Sequence, residues 1–311
     1  RSNVAGVIAV ALAAWLALAP TAQAGLEAEL RATDPALLAA RVRLRGDARR
    51  GAVLFHTSAA SCVRCHAAGE AASPLGPDLT TPRPETATPD QAIAHVIASL
   101  LDPSAQIREG YATLTIQTVD GEVISGLLAS ETDDAIVLRS ASDLLSEIRV
   151  PRDEIEEIGR SPLSMMPAGL VDSLADEREF LDLARYVADI ASGGKAREAA
   201  LAPAPEALVI VDDTQGLDHA GILRDLRDDD VEAGRRIFTS HCVNCHGADG
   251  NEPRLPTARA FGRDELKFGS DPYRMFLTVS RGAGLMGALQ NLTPMDRYQV
   301  VHYVRETLMK D

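Results

Sequence analysis

The sequence predicts a mainly α protein of two related helical units, the first interrupted by an inserted small antiparallel β-barrel. Three observations carry this reading. A Cys-x-x-Cys-His motif occurs at Cys62-Val63-Arg64-Cys65-His66 and again at Cys242-Val243-Asn244-Cys245-His246. Each copy follows one helix-like segment and precedes another that bears a tyrosine. Only the first copy carries a run of short alternating segments before that second helix. Such self-similarity marks one module used twice.

The chain's 311 residues, 46% hydrophobic and 24% charged, suffice for two domains. At the start, Arg1, an apolar run from Val4 to Pro20 and Thr21-Ala22-Gln23-Ala24 read as an export signal over residues 1–24, cleaved after Ala24. The run falls short of the roughly 20 apolar residues of a spanning helix. No stable membrane anchor is therefore expected after cleavage, and the mature chain is expected to be periplasmic or otherwise exported. Counting 45 acidic against 31 basic residues gives a net charge of -14. This argues against nucleic acid, whose phosphates demand Lys/Arg clusters; a basic patch on a partner is the natural complement.

Four cysteines in an exported chain first suggest two disulfides, but their placement argues otherwise. Thiols at i and i+3 lie about one helical turn apart. That spacing lets each add across one of two vinyl groups on a single porphyrin edge. The histidine that follows then lies under the iron as its proximal ligand. A zinc site fits poorly, because two pairs a whole domain apart, each followed at once by His, match no common zinc spacing. A thioredoxin-like motif needs a βαβ surround that is missing here. Two covalently bound haem c groups are expected, one at Cys62, Cys65 and His66 and one at Cys242, Cys245 and His246.

The flanking helices repeat as well. Asp47 to Phe55 and Val231 to Phe238 each place Gly and Phe four apart on one helix face, Gly51 with Phe55 and Gly234 with Phe238. Glycine permits close crossing, and the aromatics are expected to pack on Tyr186 and Tyr303. The last helix has a clear start in Thr293, Pro294 and Asp296. Met295 then belongs to its first turn, so the sixth ligand of the second iron is expected to be Met286, in the glycine-rich Arg281 to Gly287 loop. In the first unit Met165 and Met166 compete; Met166 precedes Pro167, is therefore extended, and is the expected ligand. A thioether ligand raises the potential. The proximal histidines need a carbonyl on their other ring nitrogen, expected from Pro77 at the first site, with Pro253 and Pro256 competing at the second. His56, His95, His219, His241 and His302 read as surface or core residues.

Between His66 and Met166 lie 99 residues, against 39 between His246 and Met286. The excess reads as strands at Tyr111 to Val119, Glu122 to Ser130, Ala135 to Arg139 and Leu144 to Val150, with turns at Asp120-Gly121, Asp133-Asp134 and Ala141 to Asp143. Four or five short strands in so few residues suggest a small barrel, similar in outline to Sm-like or SH3-like barrels. Leu101-Asp102-Pro103-Ser104-Ala105-Gln106-Ile107, Glu109-Gly110-Tyr111, Ile155-Glu156-Glu157-Ile158 and Ser164 to Leu170 together resemble the planctomycete-type haem-binding cytochrome domain, over about residues 45–192. That resemblance implies a cytochrome c core interrupted by a β insert, with the Met before Pro as distal ligand. This chain has Ser-Met-Met-Pro where the family more often has Ser-Leu-Met-Pro. Residues 228–311 resemble class I cytochrome c. The expected division is a signal over 1–24, a first cytochrome c domain over 25–195 with its insert at about 107–160, a linker over 196–227 in which Leu208 to Val211 forms a candidate strand, and a second cytochrome c domain over 228–311.

With Met and His on both irons no position is open to substrate, and no catalytic residue is expected. The reading is a dihaem electron-transfer protein, a carrier or the electron-transfer subunit of an oxidoreductase, serving a protein donor and acceptor. Its β insert would dock a periplasmic dehydrogenase or reductase. The alternative is a dihaem enzyme such as a peroxidase, which needs an open haem.

Overall fold

The computed structural model describes residues 25–60, 62–66, 75–81, 83–139, 146–209, 213–254, 258–284 and 286–310; the expected signal lies outside them. The chain opens with α1 (Leu26–Arg31), α2 (Pro35–Arg45), α3 (Ala48–Thr57), α4 (Cys62–Cys65) and α5 (Pro89–Leu101). Five strands follow, β1 (Ala112–Thr118), β2 (Val123–Glu131), β3 (Ala135–Arg139), β4 (Glu147–Pro151) and β5 (Ile155–Ser164). The chain then returns to helix: α6 (Glu177–Leu201), α7 (His219–Asp225), α8 (Asp228–His241), α9 (Val243–His246), α10 (Pro272–Arg281) and α11 (Pro294–Tyr303). Among the described residues no helix is long and apolar enough to cross a membrane.

Each unit is organised by one helix crossing, α3 on α6 and α8 on α11, and glycine makes both possible. A Cβ on Gly51 would lie 1.9 Å from the Asp182 carbonyl oxygen, and one on Gly234 2.0 Å from that of Gln299. The aromatics four residues on meet as the sequence predicts, Phe55 with Tyr186 at 5.4 Å between ring centroids and Phe238 with Tyr303 at 5.5 Å. Both crossings are tied by a polar contact at the same place. In the first, the Asp47 N–H donates to Asp182 Oδ1 at 2.7 Å, and Arg50 Nε donates to the same carboxylate. In the second, Gln299 Nε2 donates to Asp230 Oδ1 at 2.8 Å. Gly234→Ala is expected to cost about 1–3 kcal/mol through overpacking against backbone, read as a lowered Tm. Gly159→Ala, whose Cβ would meet nothing closer than 4.0 Å, is the near-neutral control.

The first core is filled by α2, α3, α5 and α6, with Leu38, Val42, Phe55, Ile97, Phe180 and Tyr186 buried. α5 starts at a capping box, Thr88 with Gln91, and α11 at the predicted one, Thr293 with Asp296. The second core gathers Phe238, Met275, Val300, Tyr303 and Leu308.

The insert is a five-stranded antiparallel sheet in the order β4-β3-β2-β1-β5. Asp120-Gly121 forms the predicted hairpin tip, with Gly121 at φ 81°, while the expected turn at Ala141 to Asp143 lies outside the described residues. For the small barrel expected from the sequence, the ladders among the described residues show the coarser feature, one five-stranded antiparallel sheet in which β4 and β5 end the strand order. The short β4 is fully paired to β3. Register irregularities lie in the β1–β5 and β2–β3 ladders, and the insert buries Leu114, Ile116, Ile136, Leu138 and Val150 in a core of its own.

The segment expected as a linker is largely structured. α6 continues to Leu201 past a break at Gly194, where φ is 65°. A 3-10 turn, Pro205–Leu208, ends at the first residue of the candidate strand, whose Ile210 and Val211 lie outside the described residues. Beyond it the chain joins the second core. His219 places Nδ1 2.7 Å from the Tyr298 hydroxyl and Nε2 2.9 Å from the Thr214 carbonyl. Asp213 receives both Arg297 Nη groups, at 2.7 and 2.5 Å. Arg297 is 0% exposed, which makes the linker's aspartate the counter-charge of a guanidinium inside the second unit.

Candidate functional site

Both Cys-x-x-Cys-His motifs form a single helical turn directly after a crossing helix, α4 after α3 and α9 after α8. The turn places both sulfurs of a motif on one side, and none of the four cysteines is joined to another. All four line one continuous cavity together with His66 and His246. Burial pushes the Cys62 and Cys242 thiols up to about 12 and raises Cys65 and Cys245 as well. Burial thus favours the S–H form of all four thiols.

The histidines are oriented by backbone carbonyls, as a metal-binding imidazole requires. His66 Nδ1 lies 3.1 Å from the Pro77 oxygen, the predicted partner. His246 Nδ1 lies 3.1 Å from the Arg259 oxygen, which corrects the expectation of Pro253 or Pro256. Phe261, two residues beyond Arg259, stacks on the His246 ring at 4.6 Å between centroids and 20°. No motif in the sequence marks Phe261. Burial lowers the pKa of both histidines, opposed in each by the carbonyl. Both rings are neutral near pH 7, with Nδ1 engaged and Nε2 left for a metal.

The sulfur candidates for the opposite face are in the same cavity. Met286 lines it from the loop after α10, where Ala283 and Met286 exchange two backbone hydrogen bonds of 2.9 Å. Met165 and Met166 both line it, and Met166 also packs against the first core. Met295 is exposed on α11. The insert delivers the first methionine loop: β5 pairs with β1, aligning Ala112 with Ser164, so Tyr111 and Met166 arrive together at the cavity. Of the other five histidines, His241 lines the cavity among the described residues.

The donor set fits a covalently attached haem at each motif. Cys62 and Cys65, or Cys242 and Cys245, would hold the porphyrin edge, and His66 or His246 would bind the iron. When bound, such a group supplies reversible one-electron chemistry. The chain's residues exclude water with apolar walls, hold the imidazole ring and present a soft sulfur.

No curated protein matches the chain. Residues 231–308, about a quarter of it, match the family model of cytochrome c. In that stretch, which contains Cys242, Cys245, His246 and Met286, the chain is similar to the cytochrome c family, and the match supports an electron-transfer haem protein with covalently bound haem c.

Proposed function

We propose that the chain is an exported dihaem c-type cytochrome that passes electrons between redox proteins, as a carrier or as the electron-transfer subunit of an oxidoreductase. One observation carries this reading: two Cys-x-x-Cys-His turns, each with its histidine on a backbone carbonyl, share one cavity with methionine sulfur from both units. In this reading His66 and Met166 ligate the first iron, and His246 and Met286 the second. The first unit is a second cytochrome domain, supported by the same Gly, Phe and Tyr crossing that organises residues 231–308. The β insert docks the redox partner, a dehydrogenase or reductase. Its hairpin tip exposes Val119 and Val123, at 59% and 64%, an apolar pair on an otherwise acidic protein.

The test is the haem content of protein made in a host that matures c-type cytochromes. Intact mass should show two haems per chain, one fewer in Cys62→Ser/Cys65→Ser and one fewer in Cys242→Ser/Cys245→Ser. Protein that carries no covalent haem at Cys62 and Cys65 would remove the dihaem reading and leave a single-haem chain.

A further inference from the structure

The two attachment turns are joined to each other's distal loops. Arg64 and Asn244 hold the same register, the residue just before the second cysteine of each motif. Arg64 Nη1 donates to the carbonyl of Gly284, two residues before Met286. Asn244 Nδ2 donates to the carbonyl of Gly169, three residues after Met166, at 3.1 Å. The contact is therefore reciprocal in the manner of a two-fold interface, the first motif reaching the second methionine loop and the second motif the first. The fit at Gly169 is close: its φ is 80°, and a Cβ there would fall 2.1 Å from Asn244 Nδ2. α8 also packs on the turn Leu170–Ser173, directly after this loop.

We propose that Arg64 and Asn244 are positioning residues that clasp the two haem sites into one redox unit, each fixing the distal loop that faces the other unit's haem. The inference rests on the dihaem reading above. A carbonyl held by a side chain from the opposite attachment turn is restrained by that turn. A change at one site is thereby transmitted to the ligand loop of the other through a hydrogen bond, with no third element between them.

The experiment uses the full haem-loaded chain. The haem meso-proton resonances of the reduced protein are assigned to the two sites with the single-haem cysteine variants. Asn244→Ala is expected to shift the resonances of the first site's haem more than those of its own. Arg64→Ala is expected to shift those of the second site's haem, and Arg64→Lys, which keeps an N–H donor, to shift them less. Variants that each disturb only the haem of their own motif, or neither haem, would overturn the clasp while leaving two haems in place. A mass corresponding to one haem per parent chain would instead overturn the dihaem reading, so the two failures are distinguishable. If Asn244→Ala fails to load both haems, the cross-site shift in Arg64→Ala alone decides: present, it supports the clasp; missing, it refutes it.

Discussion

Met286→Ala is expected to abolish the methionine-to-iron charge-transfer band of one haem and to lower its reduction potential by on the order of 0.1–0.3 V, within the roughly 0.8 V range that axial ligands span. The thioether is a soft donor that favours ferrous iron, and an alanine leaves its place to water or a weaker ligand. If the first motif also carries a haem, as proposed, Met166→Ala is expected to do the same there. Met165→Ala, beside it in the same cavity, should leave both bands intact. Magnetic circular dichroism with a redox titration reads all three. The reverse outcome, loss in Met165→Ala and retention in Met166→Ala, would move the ligand by one residue. Retention of both bands in Met286→Ala would remove it from the second iron.

Asp213→Ala is expected to destabilise the second unit by about 3–5 kcal/mol, the usual cost of leaving a buried charge without its partner. Arg297 is 0% exposed and gives both Nη groups to Asp213, with further bonds to Ser280 Oγ and the Leu292 carbonyl. Those neutral acceptors satisfy its N–H groups but carry no counter-charge. The reverse change, Arg297→Met, should cost less, because the Asp213 side chain is 38% exposed and water can reach it. The double variant Asp213→Leu/Arg297→Met should recover part of the loss, since an apolar pair often replaces a buried ion pair without penalty. Chemical denaturation of the haem-loaded chain measures all three. Equal costs for the two single changes would show that packing of the long side chain, not its charge, is what matters at this position.

Local chemistry was enough for much of the site. The Cys-x-x-Cys-His spacing, the Gly and Phe four apart, the Thr293 capping box and the Asp120-Gly121 hairpin are each read from residues within one or two turns of each other. The structure shows each as a turn, a crossing, a cap and a tip. The Pro77 carbonyl on His66 was legible as well, although it lies 11 residues away. Asp34-Pro35 and Thr88-Pro89 start α2 and α5 by the same capping rules.

What the residue order could not decide is which distant backbone atoms meet. The Arg259 carbonyl meets His246 across 13 residues, beyond the reach of any local motif. The pairing of Asp213 with Arg297 spans 84 residues, and the clasp of Arg64 on Gly284 spans 220. Strand alternation fixes which face of the insert is buried, but not whether the sheet closes; that follows from ladder lengths and bulges, properties of pairs of strands. The helical periods and motif spacings were thus determined by the sequence itself, because neighbours in the chain set them. The joining of the two motifs across one cavity was decided only by tertiary packing, because it depends on how two separately built cores come to rest against each other.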